Sequence, residues 1–395
     1  MDERKWVLTW GQAQAGLSYF SYPSEPKTYS IILNTAITGE AVRVTLSNTH
    51  GKEDVLIGAV TVCTCTEKGE ATGEILPLTY GKKSSFTLRK GERIVSEEAP
   101  LALTVGAFYR VSIFVKKGKL LSGNLLDSAT LLYQTGNQTG AAYAPDELRR
   151  RDDLRHKAEK LLGMYFPRPI PLLDAVEVRN ADGAEAIVVY GDSLSQQGFW
   201  TNPFEKKLRA AYPGRYSFIN KAVMGNRLLY DYNKWFPAGD LYGTRALTRI
   251  ADDVYPYENV RYMILALGVN DCFEFKSINS PGAGEKPDPK DVCNALLTIA
   301  KNMQARGTKV VALNIIPFGA NRDASHEKDE VRREVNRLLE ENKERFDVFV
   351  DIATPFSDPH DDYYAEPSYV GPDKLHPNAK GGAVIADHID LSIFQ

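Results

Sequence analysis

The sequence predicts an α/β protein in two parts, an all-β sandwich-like region followed by a doubly wound parallel sheet, and three observations carry this. The first third is dense in runs of Val, Ile, Thr, Phe and Tyr broken at short intervals by turn residues. The second half alternates short, nearly continuous apolar runs with amphipathic stretches. The rhythm changes once, near residue 183, so the expected domains are 1–182 and 183–395. Short β-rich runs with frequent turns suit antiparallel sheets. Apolar strands interleaved with 3.6-periodic helices imply a parallel sheet covered on both faces.

In chain order, the β-like runs of the first part are AVRVTLSN (41–48), VLIGAVTVCTC (55–65), SSFTLRKG (84–91) and ALTVGAFYRVSIFVKKG (102–118). DELRRRDDLRHKAEKLL (146–162) reads as a charged, solvated helix, because acidic residues interrupt its basic ones. PRPIPLL (167–173) reads as an extended linker or return strand, since proline disfavours helix. The parallel strands are expected at AIVVYG (186–191), YSFIN (216–220), YMILALG (262–268), KVVALNII (309–316) and DVFVDI (347–352). Two helices between them show apolar stripes: Val292, Ala295, Leu296, Ile299 and Met303, then Val331, Val335, Leu338 and Leu339. SPGAGEKPDP (280–289) reads as a surface loop.

Bulk properties narrow the function classes. At 395 residues, 43% hydrophobic and 25% charged, the composition is that of an ordinary globular chain with a sizeable core. A net charge of -3 argues against a broad nucleic-acid surface, which is usually strongly basic. No apolar run approaches the roughly 18 residues of a membrane span. The opening MDERKWVLTWGQAQAG has no apolar leader core, so a cytoplasmic protein is expected, or a secreted one if a leader has been removed. Cys63, Cys65, Cys272 and Cys293 are too few and too scattered for a disulfide framework, and reduced thiols are expected. No metal or other cofactor is called for, and oligomeric state is not legible.

Ligands of open parallel sheets bind beyond the carboxyl ends of the strands. Gly191-Asp192-Ser193 follows the first expected strand, placing a serine at a helix start; helix capping alone would also account for it. Gly225-Asn226 follows the second, where a glycine can present its N–H to a ligand or simply make a turn. Gly268-Val269-Asn270-Asp271 follows the third, with an amide able to donate into the crevice or to form an Asx turn. Asp373-Lys374-Leu375-His376-Pro377 precedes the last helix, with Pro377 suited to its first position. An aspartate three residues before a histidine can accept its Nδ1–H and leave Nε2 to take a serine proton. The set supplies a nucleophile (Ser193), a base (His376), an orienting carboxylate (Asp373) and three oxyanion donors: the Ser193 N–H, the Gly225 N–H and the Asn270 amide.

At these residues the chain resembles the SGNH (GDSL-like) hydrolase superfamily, whose four blocks are matched by GDS (191–193), Gly225, GVND (268–271) and DKLH (373–376). VMGNRLL, NIIPFGA (314–320) and LHPNAKGG (375–382) resemble a branch with an N-terminal β domain. The resemblance implies a three-layer α/β/α flavodoxin-like domain with a five-stranded parallel sheet, metal-independent ester hydrolysis and an exposed site. After GDS the family commonly continues Thr-Asp-Gly, whereas here it is Leu-Ser-Gln-Gln-Gly, which leaves the substrate class open.

Gln196, Trp200, Asn226 and Trp235 are the candidate substrate-pocket residues; Gln197, Phe236 and Tyr242 lie nearby, and core packing is the alternative for the aromatics. His360-Asp361-Asp362 reads as an exposed loop able to touch substrate. The expected function is removal of short acyl groups, acetyl first, from a small-molecule or carbohydrate ester. Lysophospholipid or thioester hydrolysis is the alternative within the class, and a non-catalytic glycan-binding protein the alternative outside it. A nucleotide-binding reading lacks the glycine-rich fingerprint.

Overall fold

The computed structural model describes residues 5–18, 26–143, 168–232, 239–277 and 285–395. The charged stretch 146–162, Trp235 and Phe236 lie outside the described residues, as do residues 280–284 of the expected surface loop.

The N-terminal part is built on two antiparallel sheets. One holds Lys5–Gly11, Leu173–Asn180, Val42–Ser47 and Arg93–Val95, in that spatial order. The other holds Thr130–Thr135, Lys27–Asn34, Phe108–Lys117, Val55–Cys65 and Leu76–Leu78, with Phe86–Leu88 also paired to Val55–Cys65. Val44 and Leu46 of the first sheet and Val60, Val62, Val111 and Ile113 of the second share one buried cluster, as a sandwich requires. A small third sheet joins Ser122–Leu125 to Pro169–Pro171 and Ala15–Gly16.

All four expected strand regions of this part contain strands, but Lys5–Gly11, Lys27–Asn34, Thr130–Thr135 and Leu173–Asn180 carry no clean alternation and escape a pattern reading. Lys27–Asn34 is buried almost throughout, polar residues included, because Ser30 Oγ pairs with Ser112 Oγ at 2.8 Å on the neighbouring strand. Of the expected stretch 167–173, the described residues 168–173 form the return: Pro169–Pro171 pairs with Ser122–Leu125, and the chain then enters Leu173–Asn180 and closes against Lys5–Gly11.

The parallel sheet comprises β1 (Glu185–Gly191), β2 (Tyr216–Asn220), β3 (Val260–Ala266), β4 (Lys309–Leu313) and β5 (Val348–Val350), in the spatial order β2-β1-β3-β4-β5. This flavodoxin-like order reverses direction between β1 and β3, creating a crevice at their carboxyl ends. The period of two along each strand separates the faces. Ala186, Val188 and Tyr190 pack with α3 (Ala246–Asp253), α5 (Pro289–Gln304) and α6 (His326–Glu341). Ile187 and Val189 pack with α2 (Thr201–Ala211), α7 (Ala353–Phe356) and α8 (Ala379–His388). Short α1 (Ser193–Gln196) and α4 (Val269–Phe273) follow β1 and β3 directly.

The expected helical stripes bury as drawn, apart from Leu338, which is half-buried. Pro377 is not the first residue of α8. Asn378 caps that helix by accepting the N–H groups of Lys380 and Gly381, so Pro377 falls before the cap. The two parts meet along β2, where Ser217 Oγ donates to Leu8 O at 2.5 Å, and one apolar cluster runs through both. The four cysteines are buried and unpaired. Among the described residues no helix is long and apolar enough to cross a membrane, and no cluster of His, Cys, Asp and Glu is arranged to hold a metal.

Candidate active site

β1 delivers the serine. A Cβ at Gly191 would fall 2.7 Å from Ser195 Oγ, so glycine is needed for the tight exit from the strand. Asp192 is extended and caps α1 by accepting the Leu194 N–H at 3.1 Å, which makes Ser193 the first helical residue. Burial pushes the Asp192 carboxyl up to about 7, with nearby Asp271 adding to the effect and the Leu194 N–H and Arg249 opposing it.

The histidine comes from the loop before α8. Asp373 Oδ1 accepts the backbone N–H groups of Leu375 and His376, both at 3.1 Å, which curls the chain and turns the imidazole back over its own aspartate. Asp373 Oδ2 lies 2.5 Å from His376 Nδ1, and His376 Nε2 lies 2.8 Å from Ser193 Oγ. Burial alone would raise the Asp373 carboxyl. The hydrogen bond and charge of His376 and the two backbone donors outweigh it and hold that carboxyl below the usual range. An ionised carboxylate only accepts, so Nδ1 carries the ring proton and Nε2 is left to accept from the serine hydroxyl. Asn321 Nδ2 anchors the loop from outside by donating to Asp373 O at 2.7 Å.

The other two loops close the crevice. Gly225 has φ +64°, and a Cβ there would lie 2.4 Å from the Tyr242 ring. Neither a side chain nor an ordinary backbone conformation fits that position. Asn270 is buried on α4 and donates one N–H to Asn226 O at 3.0 Å; the amide has a second. Asp271 accepts the N–H groups of Leu228 and Leu229 and so ties the Gly225 loop to α4. Burial pushes its carboxyl up to about 6 despite those donors.

Ser193, Gly225, Asn270, Asp373 and His376 thus line a single cleft of about 560 Å³, together with Gln197 and Tyr242. Among the described residues, the other expected pocket residues, Gln196, Trp200 and Asn226, do not line it. Gln196 is 3% exposed and donates through Nε2 to Asn124 Oδ1 at 2.7 Å, away from the cleft. Trp200 is buried against Phe204 and donates to Ser195 Oγ. The Asn226 side chain serves as a buried brace, donating to Tyr242 O and Thr244 O and accepting from Arg249 Nε. Asp362 pairs with Arg333 instead of reaching the cleft.

Arg249 is the largest omission of the sequence reading. It is 3% exposed beneath the site and stacks over Tyr190 at 4.1 Å. Its guanidinium donates to Gly191 O, Lys221 O, Asn226 Oδ1 and Asp253 Oδ2, so one side chain braces the ends of β1 and β2. The available signal was an Arg-Asp pair at i, i+4 on the apolar face of an amphipathic helix, where charges are rarely buried unless paired.

The sequence profile of the GDSL-like Lipase/Acylhydrolase family matches residues 189–384. Similar solved structures include a GDSL-like lipase from Bacteroides thetaiotaomicron, 15% identical, covering 54% of this chain and 90% of that one with a TM-score of 0.39. Another is an acetylxylan esterase from Geobacillus stearothermophilus, 17% identical, covering 53% of this chain and 95% of that one, also with a TM-score of 0.39. No curated protein matches the chain. The matched segment begins within β1 and ends within α8, taking in every loop that lines the cleft, and by that match residues 189–384 form a GDSL-like lipase/acylhydrolase domain, which makes the protein an ester-bond hydrolase.

Proposed function

We propose that the chain hydrolyses short acyl esters of polar alcohols, acetylated carbohydrate being the first candidate, through an acyl-enzyme on Ser193. The observation that carries this is the unbroken line from Ser193 Oγ through His376 to Asp373, at 2.8 and 2.5 Å. His376 Nε2 takes the hydroxyl proton as Oγ attacks the acyl carbonyl. The oxyanion is held by the Ser193 N–H, the Gly225 N–H and the free N–H of Asn270, each such donor being worth about 2.7–4 kcal/mol of barrier. His376 then returns its proton to the departing alcohol. A water, deprotonated by the same nitrogen, attacks the acyl carbonyl and releases the acid and the serine.

The lining of the cleft supports the substrate class. Met224, Tyr242, Phe273 and Leu375 offer limited apolar surface, suited to a small acyl group. Glu274, Arg322, Asp323 and Lys374 give the cleft a charged wall that favours a hydroxyl-rich alcohol over a hydrocarbon tail. The test is a panel of esters varying acyl length and alcohol, run on wild type and Ser193→Ala. Wild type should prefer acetyl over longer chains, and Ser193→Ala should fold but lose turnover of p-nitrophenyl acetate. Undiminished turnover by Ser193→Ala would remove the assignment of the nucleophile, and a preference for long acyl chains would remove the substrate class.

A further inference from the structure

A single amide from the N-terminal sheets reaches beneath the candidate site and holds two of its parts. Asn124 lies on the strand Ser122–Leu125 and is 2% exposed. Its Oδ1 accepts the Leu125 N–H at 2.8 Å and Gln196 Nε2 at 2.7 Å, and its Nδ2 donates to Ala222 O at 2.9 Å. The amide cannot be turned over. A backbone N–H only donates and a carbonyl only accepts, so both backbone partners require the oxygen and nitrogen where they are. Gln196 must therefore be the donor in its bond to Asn124.

Both contacts lie close to a proposed oxyanion donor. Gln196 is the last residue of α1, whose first residue is Ser193. Ala222 opens the loop that carries Gly225, and Val223 N–H in that loop donates to Gly191 O at 3.1 Å. The preceding residue is anchored as well. Lys221 is wholly buried, donates to Gln12 O at 2.6 Å and lies 3.5 Å from Asp174, which also holds Arg93. The loop is thus gripped by the N-terminal part at Lys221 and Ala222 just before it delivers Gly225.

We infer that Asn124 is a positioning residue for ester hydrolysis, setting the separation between the Ser193 and Gly225 N–H groups, and that the β region is a working part of the active site. The inference rests on the reading of Ser193 as nucleophile and Gly225 as oxyanion donor. Positioning of oxyanion donors acts on the tetrahedral state more than on bound ester, so its loss belongs in kcat.

The test compares full-length wild type, Asn124→Asp and Gln196→Met on p-nitrophenyl acetate, with active sites counted by fluorophosphonate titration. Asn124→Asp keeps the shape and the oxygen but sets a carboxylate oxygen against Ala222 O. Gln196→Met keeps the volume and removes the donor on the other side. Each should lower kcat per titrated site at least tenfold with KM within about threefold. Affinity for a boronic acid that mimics the tetrahedral adduct should weaken in proportion to kcat/KM, a correlation that loss of folded protein would not produce.

Folded variants with wild-type kcat and wild-type boronic acid affinity overturn the inference, as does a change confined to KM. If Asn124→Asp does not fold, Gln196→Met decides alone. Activity that survives Ser193→Ala overturns the underlying reading and this inference with it. Activity lost in Ser193→Ala but retained in both variants overturns the inference alone.

Discussion

Replacing Asp373 with asparagine should abolish catalysis without disturbing the fold, and the structure explains why so small a change is so costly. Asp373 Oδ1 accepts two backbone N–H groups, from Leu375 and His376, while Oδ2 faces His376 Nδ1. In the asparagine variant the amide oxygen is needed at the first position, since an NH2 group there would meet two donors. The NH2 group is then forced toward Nδ1, which can meet it only as an acceptor. The ring proton moves to Nε2, the nitrogen 2.8 Å from Ser193 Oγ, and the base loses the lone pair that it needs. Wrong-tautomer substitutions of this kind cost on the order of 10⁴ in kcat, or about 5.5 kcal/mol of barrier. The loop keeps both of its backbone hydrogen bonds, so the melting temperature should stay within a few degrees. The assay is steady-state hydrolysis of p-nitrophenyl acetate near pH 8 with thermal unfolding alongside. Retention of more than a tenth of wild-type kcat by a folded Asp373→Asn would refute the reasoning, because it would mean that this carboxylate does not set the tautomer.

Three further outcomes are expected. Gly225→Ala places a Cβ 2.4 Å from the Tyr242 ring at φ +64°; it should cost about 1–3 kcal/mol of stability and a larger share of kcat than of KM, measured by urea unfolding and steady-state kinetics. Asp192 ionises at 3.8 when unfolded but only at about 7 when folded, because it is buried. The native state therefore holds the extra proton between those values, and this group lowers stability as pH rises through that window, with the full cost above it. Asp192→Asn keeps a capping oxygen without the charge, so it should melt higher than wild type at pH 8, with the gain vanishing toward pH 4; a pH-independent difference would contradict this. Arg249→Leu strands Asp253 and three other acceptors in the interior and should cost about 3–5 kcal/mol in urea unfolding, with activity falling as the ends of β1 and β2 loosen.

The parallel sheet was legible in the sequence because its central strands are buried on both faces and read as nearly continuous apolar runs, as AIVVYG and YMILA do. The residues of the candidate triad were legible for a related reason. They sit at strand ends and helix starts, where glycine, asparagine and aspartate mark turns and caps through local backbone geometry. Gly191, Gly225 and the Asp373–His376 spacing are short-range features, and short-range features are written in consecutive residues. Pro377 shows the limit even there: the cap chosen by α8 is Asn378, one residue on.

What consecutive residues do not carry is which distant groups meet. Gln196, Trp200 and Asn226 stand beside the motif blocks in sequence, yet their side chains turn into the protein, to Asn124, Ser195 and Arg249. Lys5–Gly11 finds its partner strand only at Leu173–Asn180, and Arg249 reads as one more helical charge until the fold sets it beneath the ends of β1 and β2. Sequence alone determined the sheet type, the chemical kinds of the site residues and their local turns, because these depend on neighbours a few positions away. Only the tertiary structure decided which of those residues face the cleft and which brace it, because that depends on hydrogen bonds between segments tens to hundreds of residues apart.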